Sequence, residues 1–276
     1  MQILGIPLNK LSYKYFFENI TRLDKRSIIF TPNPEIILKT LEDVEFKDIL
    51  LKADYLLPDG TGLFIAFQII DLKAIYPNSL ILCLLSFVFL PYFVFNVIFR
   101  KKYIYTKYGD KICGSDLTTD LLKFANKENI KIAIIDLYNP NDEQKVASQK
   151  IFSEKLKEVY KNLNFDYIIY NESKKEEIIE SIKNSDSKVL FSTLGMKKQE
   201  KSILDIMNSC DNIKIGTGIG SSFDYIIGFQ KRAPNIWRYL GLEWLYRLAT
   251  GPQKINRLKR LYRAIFIFIY KVITNK

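Results

Sequence analysis

Of the residues able to do chemistry, the acid in Pro58-Asp59-Gly60-Thr61-Gly62 has the most telling surroundings. An apolar run ending Tyr55-Leu56-Leu57 precedes it, and Leu63, Phe64, Ala66, Phe67 and Ile70 follow at helical spacing. A strand, a glycine-bearing turn and a helix in this order put Asp59 at the carboxyl edge of a sheet, where open α/β folds bind ligands. Gly60 and Gly62 let backbone approach a substrate closely, and the N–H groups opening the helix favour negative charge nearby. Asp59 is therefore the candidate reacting carboxylate. Asp-Gly is equally at home as a cap or turn former, and this stretch alone does not separate the two.

The chain has no histidine, which removes Ser-His-Asp and Cys-His catalysis, His-ligated zinc and imidazole acid/base work together. A general base must then be Asp, Glu or a less usual group. No Asp-x-Asp triplet is present to hold a metal on a nucleotide diphosphate, so metal dependence is not suggested. Cys83, Cys113 and Cys210 are far apart with no Cys-x-x-Cys pair, which argues against a disulfide framework or a thiolate metal site and fits a reducing compartment.

At 276 residues, 48% hydrophobic and 14% aromatic, the chain can bury a sizeable core. Its formal charge of +11 is unevenly placed. Residues 231–276 hold eleven basic side chains against the single acid Glu243, a net of +10 that leaves the rest near neutral. Such an end seeks an anionic surface or ligand.

The elements that must position Asp59 alternate. Met1–Ile6 and Ser27–Thr31 read as strands around a helix over Tyr13–Thr21, with no sign of a signal peptide. Thr31 and Asn33 stand at the next strand-to-helix turn, where they either cap the helix Ile36–Glu42 or touch a ligand. No charged residue occurs from Ala74 to Phe99, a run long enough to span a bilayer. A single span would put Asp59 and the later glycine-rich loop on opposite sides, and Pro91 interrupts the run. The expectation is a re-entrant or interfacial hairpin returning on one face, with Arg100, Lys101 and Lys102 at headgroup level; a buried helical pair is the alternative.

Beyond Lys111-Ile112-Cys113-Gly114-Ser115-Asp116, helices over Leu117–Asn126, Asp142–Leu163, Lys174–Lys183 and Lys197–Asn208 alternate with strands over Ile130–Asp136, Phe165–Tyr170, Lys188–Thr193 and Asn212–Gly216. This rhythm predicts a Rossmann-like α/β fold, a mostly parallel sheet with helices on both faces. Gln199 and Glu200 open one late helix, and Gly216-Thr-Gly218-Ile-Gly220-Ser-Ser-Phe-Asp224 is a loop whose amides could cradle a diphosphate. Its spacing is not that of a dinucleotide fingerprint. Pro234–Thr250 and Lys254–Ile273 read as two final helices, broken at Gly251-Pro252. Their mixture of cations and apolar residues at helical spacing suits a membrane surface better than nucleic acid.

Taken together these motifs resemble the bacterial WecG/TagA/CpsF glycosyltransferase family. The matching pieces are Thr31-Pro-Asn-Pro-Glu35, Ala53-Asp54 through Pro58-Asp-Gly-Thr-Gly62, Cys113-Gly-Ser-Asp-Leu117, Leu194-Gly-Met-Lys-Lys-Gln-Glu200, Gly216 to Asp224, Arg232-Ala-Pro234 and Gly241-Leu-Glu-Trp-Leu-Tyr-Arg-Leu248. The resemblance implies an inverting, metal-independent enzyme without a cofactor. It would move a sugar, N-acetylmannosamine or its uronic acid in the better-known members, from a UDP-sugar to N-acetylglucosamine on a polyprenyl diphosphate. That work serves teichoic acid or surface-polysaccharide synthesis at the cytoplasmic face of the cell membrane. Asp59 falls on the family's proposed general base, and Thr31, Asn33 and Gln199 on donor-site positions. Gly60, Gly114, Asp116, Gly218 and Asp224 lie in the matching motifs and, with Lys111 just before one of them, complete the expected substrate site. Arg247, Lys254 and Arg257 are expected to supply cations for the leaving diphosphate, and Gly218–Gly220 the amides.

The implied organisation is an α/β catalytic domain over 1–230, with an apolar insertion at about 72–108, and a basic helical membrane-binding appendage over 231–276. The partners are a UDP-sugar, a lipid-diphosphate-linked acceptor and an anionic membrane surface, with no nucleic acid. The chain departs from the family at Lys111 and Lys254, where arginine is usual, at Leu137-Tyr-Asn-Pro140, and in the insertion itself. Lysine keeps the charge and loses the bidentate fork. A membrane-docked nucleotide-binding protein without catalysis is the alternative reading.

Overall fold

The computed structural model describes residues 1–137, 143–220, 222–228, 231–250 and 254–274; the side chains of Ser79, Leu137, residues 143–150, Arg247, Lys254, Asn256 and Arg257 lie outside the description. The expectations at Tyr138, Asn139 and Asp142 also fall outside it.

The first residues do not join the main sheet. β1 (Gln2–Ile3) and β2 (Ile6–Pro7) form their own antiparallel pair. Leu4 and Gly5 turn between them with φ of 50° and 83°, the positive pair that a tight hairpin requires. The strands that follow are β3 (Ser27–Phe30), β4 (Tyr55–Leu56), β5 (Ile132–Leu137), β6 (Phe165–Tyr170), β7 (Val189–Ser192) and β8 (Ile215–Gly218). They make one sheet in the order β4-β3-β8-β7-β5-β6, every neighbouring pair parallel.

Sequence explains why this sheet lies between two layers. β3, β7 and β8 are buried at every position, the continuous burial of a parallel strand covered on both faces. The pleat then divides their side chains. Ile28, Phe30 and Leu190 enter one core with Ile203 and Met207 from the helix Lys198–Ser209. Ile29, Val189 and Phe191 enter the other with Leu117 and Leu121 from the helix Gly114–Lys127. The expected α/β architecture is what the chain adopts.

The apolar segment differs from the expected hairpin. Ser79–Phe99 is one helix with Pro91 inside it. Proline removes a hydrogen bond from the ladder without forcing a reversal when flanking turns are held on both sides. They are held here: Leu82 and Ser86 before the proline and Phe93, Asn96 and Val97 after it are buried. The Asn96 side-chain amide also donates to Gln68 Oε1 at 2.9 Å, and Gln68 Nε2 donates to the Phe64 and Phe93 carbonyls, a buried polar link to the helix Thr61–Ile75.

The C-terminal part differs as well. Pro234–Thr250 is two short helices, Asn235–Tyr239 and Glu243–Thr250, separated at Gly241, whose φ is 72°. The last helix passes through a π-helical stretch, Arg263–Ile267, between Lys254–Tyr262 and Phe268–Thr274. Phe268, Val272 and Ile273 are buried, and Lys73 Nζ donates to the Val272 and Ile273 carbonyls.

β8 begins and ends later than Asn212–Gly216, so Gly216 and Gly218 are strand residues rather than loop. Their lack of a side chain is a packing requirement. A Cβ on Gly216 would lie 2.2 Å from Met207 Sδ and 2.8 Å from Ile203 Cγ2. Gly216→Ala should therefore destabilise the fold by about 1–3 kcal/mol through overpacking. The measurement is a lowered urea midpoint at unchanged slope; an unmoved midpoint would mean that Met207 and Ile203 give way freely.

Candidate active site

Asp59 reaches the carboxyl edge of the sheet by a continuation of the strand ladder. β4 itself ends at Leu56, but Leu57 N–H donates to the Phe30 carbonyl at 2.9 Å and Asp59 N–H to the Pro32 carbonyl at 3.0 Å. Pro58 C=O accepts from Ile112 N–H at 3.1 Å, which draws the segment before the helix Gly114–Lys127 against the same turn. The Gly114 N–H then points to Asp59 Oδ2 at 3.4 Å, a long contact at the helix start. Thr31 completes this side: a Cβ on Gly114 would lie 2.9 Å from Thr31 Oγ1, so only glycine lets these two segments approach. Thr31, Asp59, Gly60 and Gly114 are thus brought together.

Asn33 caps the helix Pro34–Glu42, its Oδ1 accepting from Ile36 N–H at 3.0 Å, so capping is the one of its two expected roles visible in the structure. Gly60 takes φ of 94° before the helix Thr61–Ile75. A Cβ on Gly62 would lie 2.9 Å from Pro34 Cγ and 4.0 Å from the Ala264 carbonyl, which places the last helix against the acidic turn.

Across β3 lies a second cluster. Buried Gln199 accepts from Gly220 N–H at 3.1 Å and donates to Glu200 Oε1 at 2.7 Å, while Glu200 Oε2 accepts from Lys197 N–H at 2.6 Å. Burial raises the Glu200 carboxyl above its usual range, against the pull of these hydrogen bonds. A Cβ on Gly218 would come within 2.7 Å of Gln199 Nε2, so Gly218 makes room for that side chain. The glycine-rich loop is not the open nest expected from its composition. Its Gly220 N–H serves Gln199, and its Ile219 N–H serves the Ser192 carbonyl at 3.0 Å. Asp224 lies farther along the edge, where its charge is felt by Tyr167.

Sequence reasoning overlooked two groups. Asp136 accepts from Thr193 Oγ1 and from the Tyr167 hydroxyl, both at 2.5 Å, forming a polar knot that joins the ends of β5 and β7 to the middle of β6. Burial, then the hydrogen bond to Asp136, holds the Tyr167 phenol far above its usual range. Arg232 donates to Ser115 Oγ at 2.8 Å and to Asp116 Oδ1 at 2.5 Å, and Arg238 lies 3.6 Å from the same carboxylate. Asp116 therefore ties residues beyond 230 to the site. The motif Arg232-Ala-Pro234 was the available signal, although it named no partner.

Both acids and cations act on the segment 101–116 beside the turn. Burial pushes the Cys113 thiol up to about 11, the charges of Asp59, Glu243 and Asp116 push the same way, and its contact with Ser115 opposes them. Burial, then the neighbouring charge of Lys111, holds the Lys101 ammonium below its usual value. The side chains of Arg247, Lys254 and Arg257 fall outside the described residues. No group of three or more acids or cysteines that could hold a metal occurs among the described residues.

A doubly covered parallel sheet with an acid-bearing turn at its carboxyl edge defines an α/β protein of the kind that binds ligands at that edge. The chain belongs to the WecG/TagA/CpsF glycosyltransferase family, whose sequence profile matches residues 1–80 and 96–276, and it is accordingly a glycosyltransferase. Proteins named N-acetylglucosaminyldiphosphoundecaprenol N-acetyl-beta-D-mannosaminyltransferase, from Staphylococcus aureus strains MRSA252 and NCTC 8325, are each 24% identical to it over 282 residues, covering 100% of this chain and 93% of the relative.

The Cys113 environment yields a test of the site's electrostatics. With its thiol raised from 9.0 to about 11, the thiolate fraction near neutral pH drops about a hundredfold, and iodoacetamide should modify Cys113 correspondingly more slowly in the folded protein than in urea. Peptide mapping of the labelled protein checks this; equal rates would mean an open, unperturbed thiol.

Proposed function

We propose that the protein moves N-acetylmannosamine, or its uronic acid, from a UDP-sugar to N-acetylglucosamine on a polyprenyl diphosphate at the cytoplasmic face of the membrane. The product would enter wall teichoic acid or another surface polysaccharide. The name of the staphylococcal relatives supports the sugar and the lipid diphosphate acceptor. The observation that carries the reading is the carboxylate of Asp59, held at the sheet edge by its own backbone bond to Pro32 with Thr31 and Gly114 beside it.

In this reading Asp59 acts as general base. It takes the proton of the acceptor hydroxyl as that oxygen bonds to the anomeric carbon, while the bond to the UDP oxygen breaks on the opposite face. One base on one face gives inversion. Thr31 and Gln199 orient the donor, Asn33 fixes the helix start beside it, and Gly60, Gly114 and Gly218 allow close approach. Lys111, Arg247, Lys254 and Arg257 neutralise the leaving diphosphate. Asp116 acts through Arg232, and Asp224 through the polar knot on Asp136. The catalytic domain occupies 1–230, and the appendage 231–276 closes the site against anionic lipid.

Asp59→Asn keeps the size and hydrogen-bonding reach of the side chain but cannot take a proton. Transfer should fall by about 10²–10⁴-fold, the usual share of general-base catalysis, while the Kd for UDP-sugar stays close to that of the parent. Radiolabelled transfer and calorimetric binding read the two quantities separately. Full turnover in the variant would remove Asp59 as the base.

A further inference from the structure

The helix Ser79–Phe99 is unlike the rest of the molecule. The family profile passes over residues 81–95, so its middle is an addition to the common fold. One narrow stripe, Leu82, Ser86, Phe93 and Val97, is buried along almost its whole length. The opposite side carries Leu80, Leu84, Phe87, Val88, Phe95 and Phe99, all exposed, with Phe87 at 65% and Val88 at 72%. A helix packed on a soluble domain ordinarily turns polar residues outward. This one turns none of them charged.

Length alone would allow a span, since 21 residues make a helix about 32 Å long. The buried stripe argues otherwise. A span would carry the protein surface packed along it into hydrocarbon, including the Asp71–Lys107 ion pair at 2.5 Å and Lys73 beside the Val272 and Ile273 carbonyls. Ionised groups at that depth are expensive. The charge carried by the segment itself is of one sign. Between Asp71 and Asp110 there is no acid, and Lys73, Arg100, Lys101, Lys102 and Lys107 are all cations. Arg100 also stacks 4.9 Å above the Tyr103 ring, an aromatic and cation pair suited to a headgroup layer.

We infer that the outward face of this helix lies within one leaflet of an anionic bilayer, its axis parallel to the membrane, so that lipid chains cover it. The Gln68–Asn96 link then fixes the catalytic domain's orientation over the leaflet. The choice of lipid as occupant rests in part on the lipid-linked acceptor proposed above. A second copy of the chain on the same face is the competing occupant, and it offers no role for the one-signed charge.

The test uses the full chain with Leu80→Trp, Phe87→Trp or Phe95→Trp, on phosphatidylglycerol vesicles carrying brominated chains at two depths. Each signal is read as the increment over the parent's own tryptophans. An in-plane helix gives the same shallow depth at all three positions. A deeper position for Phe87→Trp would mean a span and overturn the proposal, as would absence of quenching or dimerisation through this face without lipid. Phe87→Asp with Val88→Asp, both exposed, should retain the parent's thermal midpoint and lose vesicle affinity by at least about tenfold. The same double variant should keep full transfer to a short-chain, water-soluble acceptor. If the parent itself fails on that acceptor while the depth result holds, the acceptor assignment fails and the leaflet seat stands.

Discussion

Two backbone hydrogen bonds made after β4 has ended, Leu57 N–H to Phe30 C=O and Asp59 N–H to Pro32 C=O, hold the acidic turn on the path of the strand beside it. They bind two segments that each bend away from the sheet, and they share β3 as a template. β3 is paired on its other side with β8, so the turn after β3, the acid after β4 and the end of β8 lie along one edge. Moving any of these strands by one residue would reverse its side chains through the sheet and separate Thr31 from Gly114. The site is a consequence of register before it is one of side-chain chemistry.

The basic C-terminal part is joined to that edge by specific contacts rather than by charge in bulk. Arg232 and Arg238 meet Asp116, Arg260 lies 3.9 Å from Glu35, and Arg263 pairs with Glu42. Glu42 is correspondingly held below its usual range by the Arg263 hydrogen bond. The pairs to Arg260 and Arg263 are well exposed, so they set position more than they add stability. Apolar contacts of Phe268, Val272 and Ile273 supply the anchor. Part of the large positive charge visible in the composition is thereby answered within the chain, while Ile255, Leu258, Tyr262 and Phe266 remain exposed along the last helix.

Much of this was legible beforehand because strand-turn-helix units announce themselves locally. Alternation of apolar runs with amphipathic helices implied the parallel sheet, and the turns at Thr31 and Asp59 reached the expected edge. What escaped depended on contacts distant in sequence. Pro91 reads as a break when considered alone; burial of residues on both sides of it, with the Gln68–Asn96 pair 28 residues apart, keeps the helix whole. The glycines of β8 read as a loop because their function is to accommodate Met207 and Gln199, neighbours that no local pattern names. Gly241 interrupts a helix that hydrophobic spacing would continue by taking φ of 72°, and Thr61 leaves no room there for a side chain.

The arrangement of charge around Asp59 also bears on what this edge of the sheet can receive. The charges of Asp59, Glu243 and Asp116 all press on Cys113, and of the three Asp116 is answered by Arg232 and Arg238. Lys111 and Lys101 stand where they repel each other, the second lowered first by burial and then by the first. Like charges held together at a cost are relieved when a counter-ion arrives between or beside them. Lys101 further rests 3.3 Å above the Tyr239 ring, which keeps the ammonium in place without neutralising it. In the transfer proposed above, an anionic donor seated toward Lys101 and Lys111 would meet charge of the opposite sign and leave the Asp59 carboxylate to the acceptor hydroxyl.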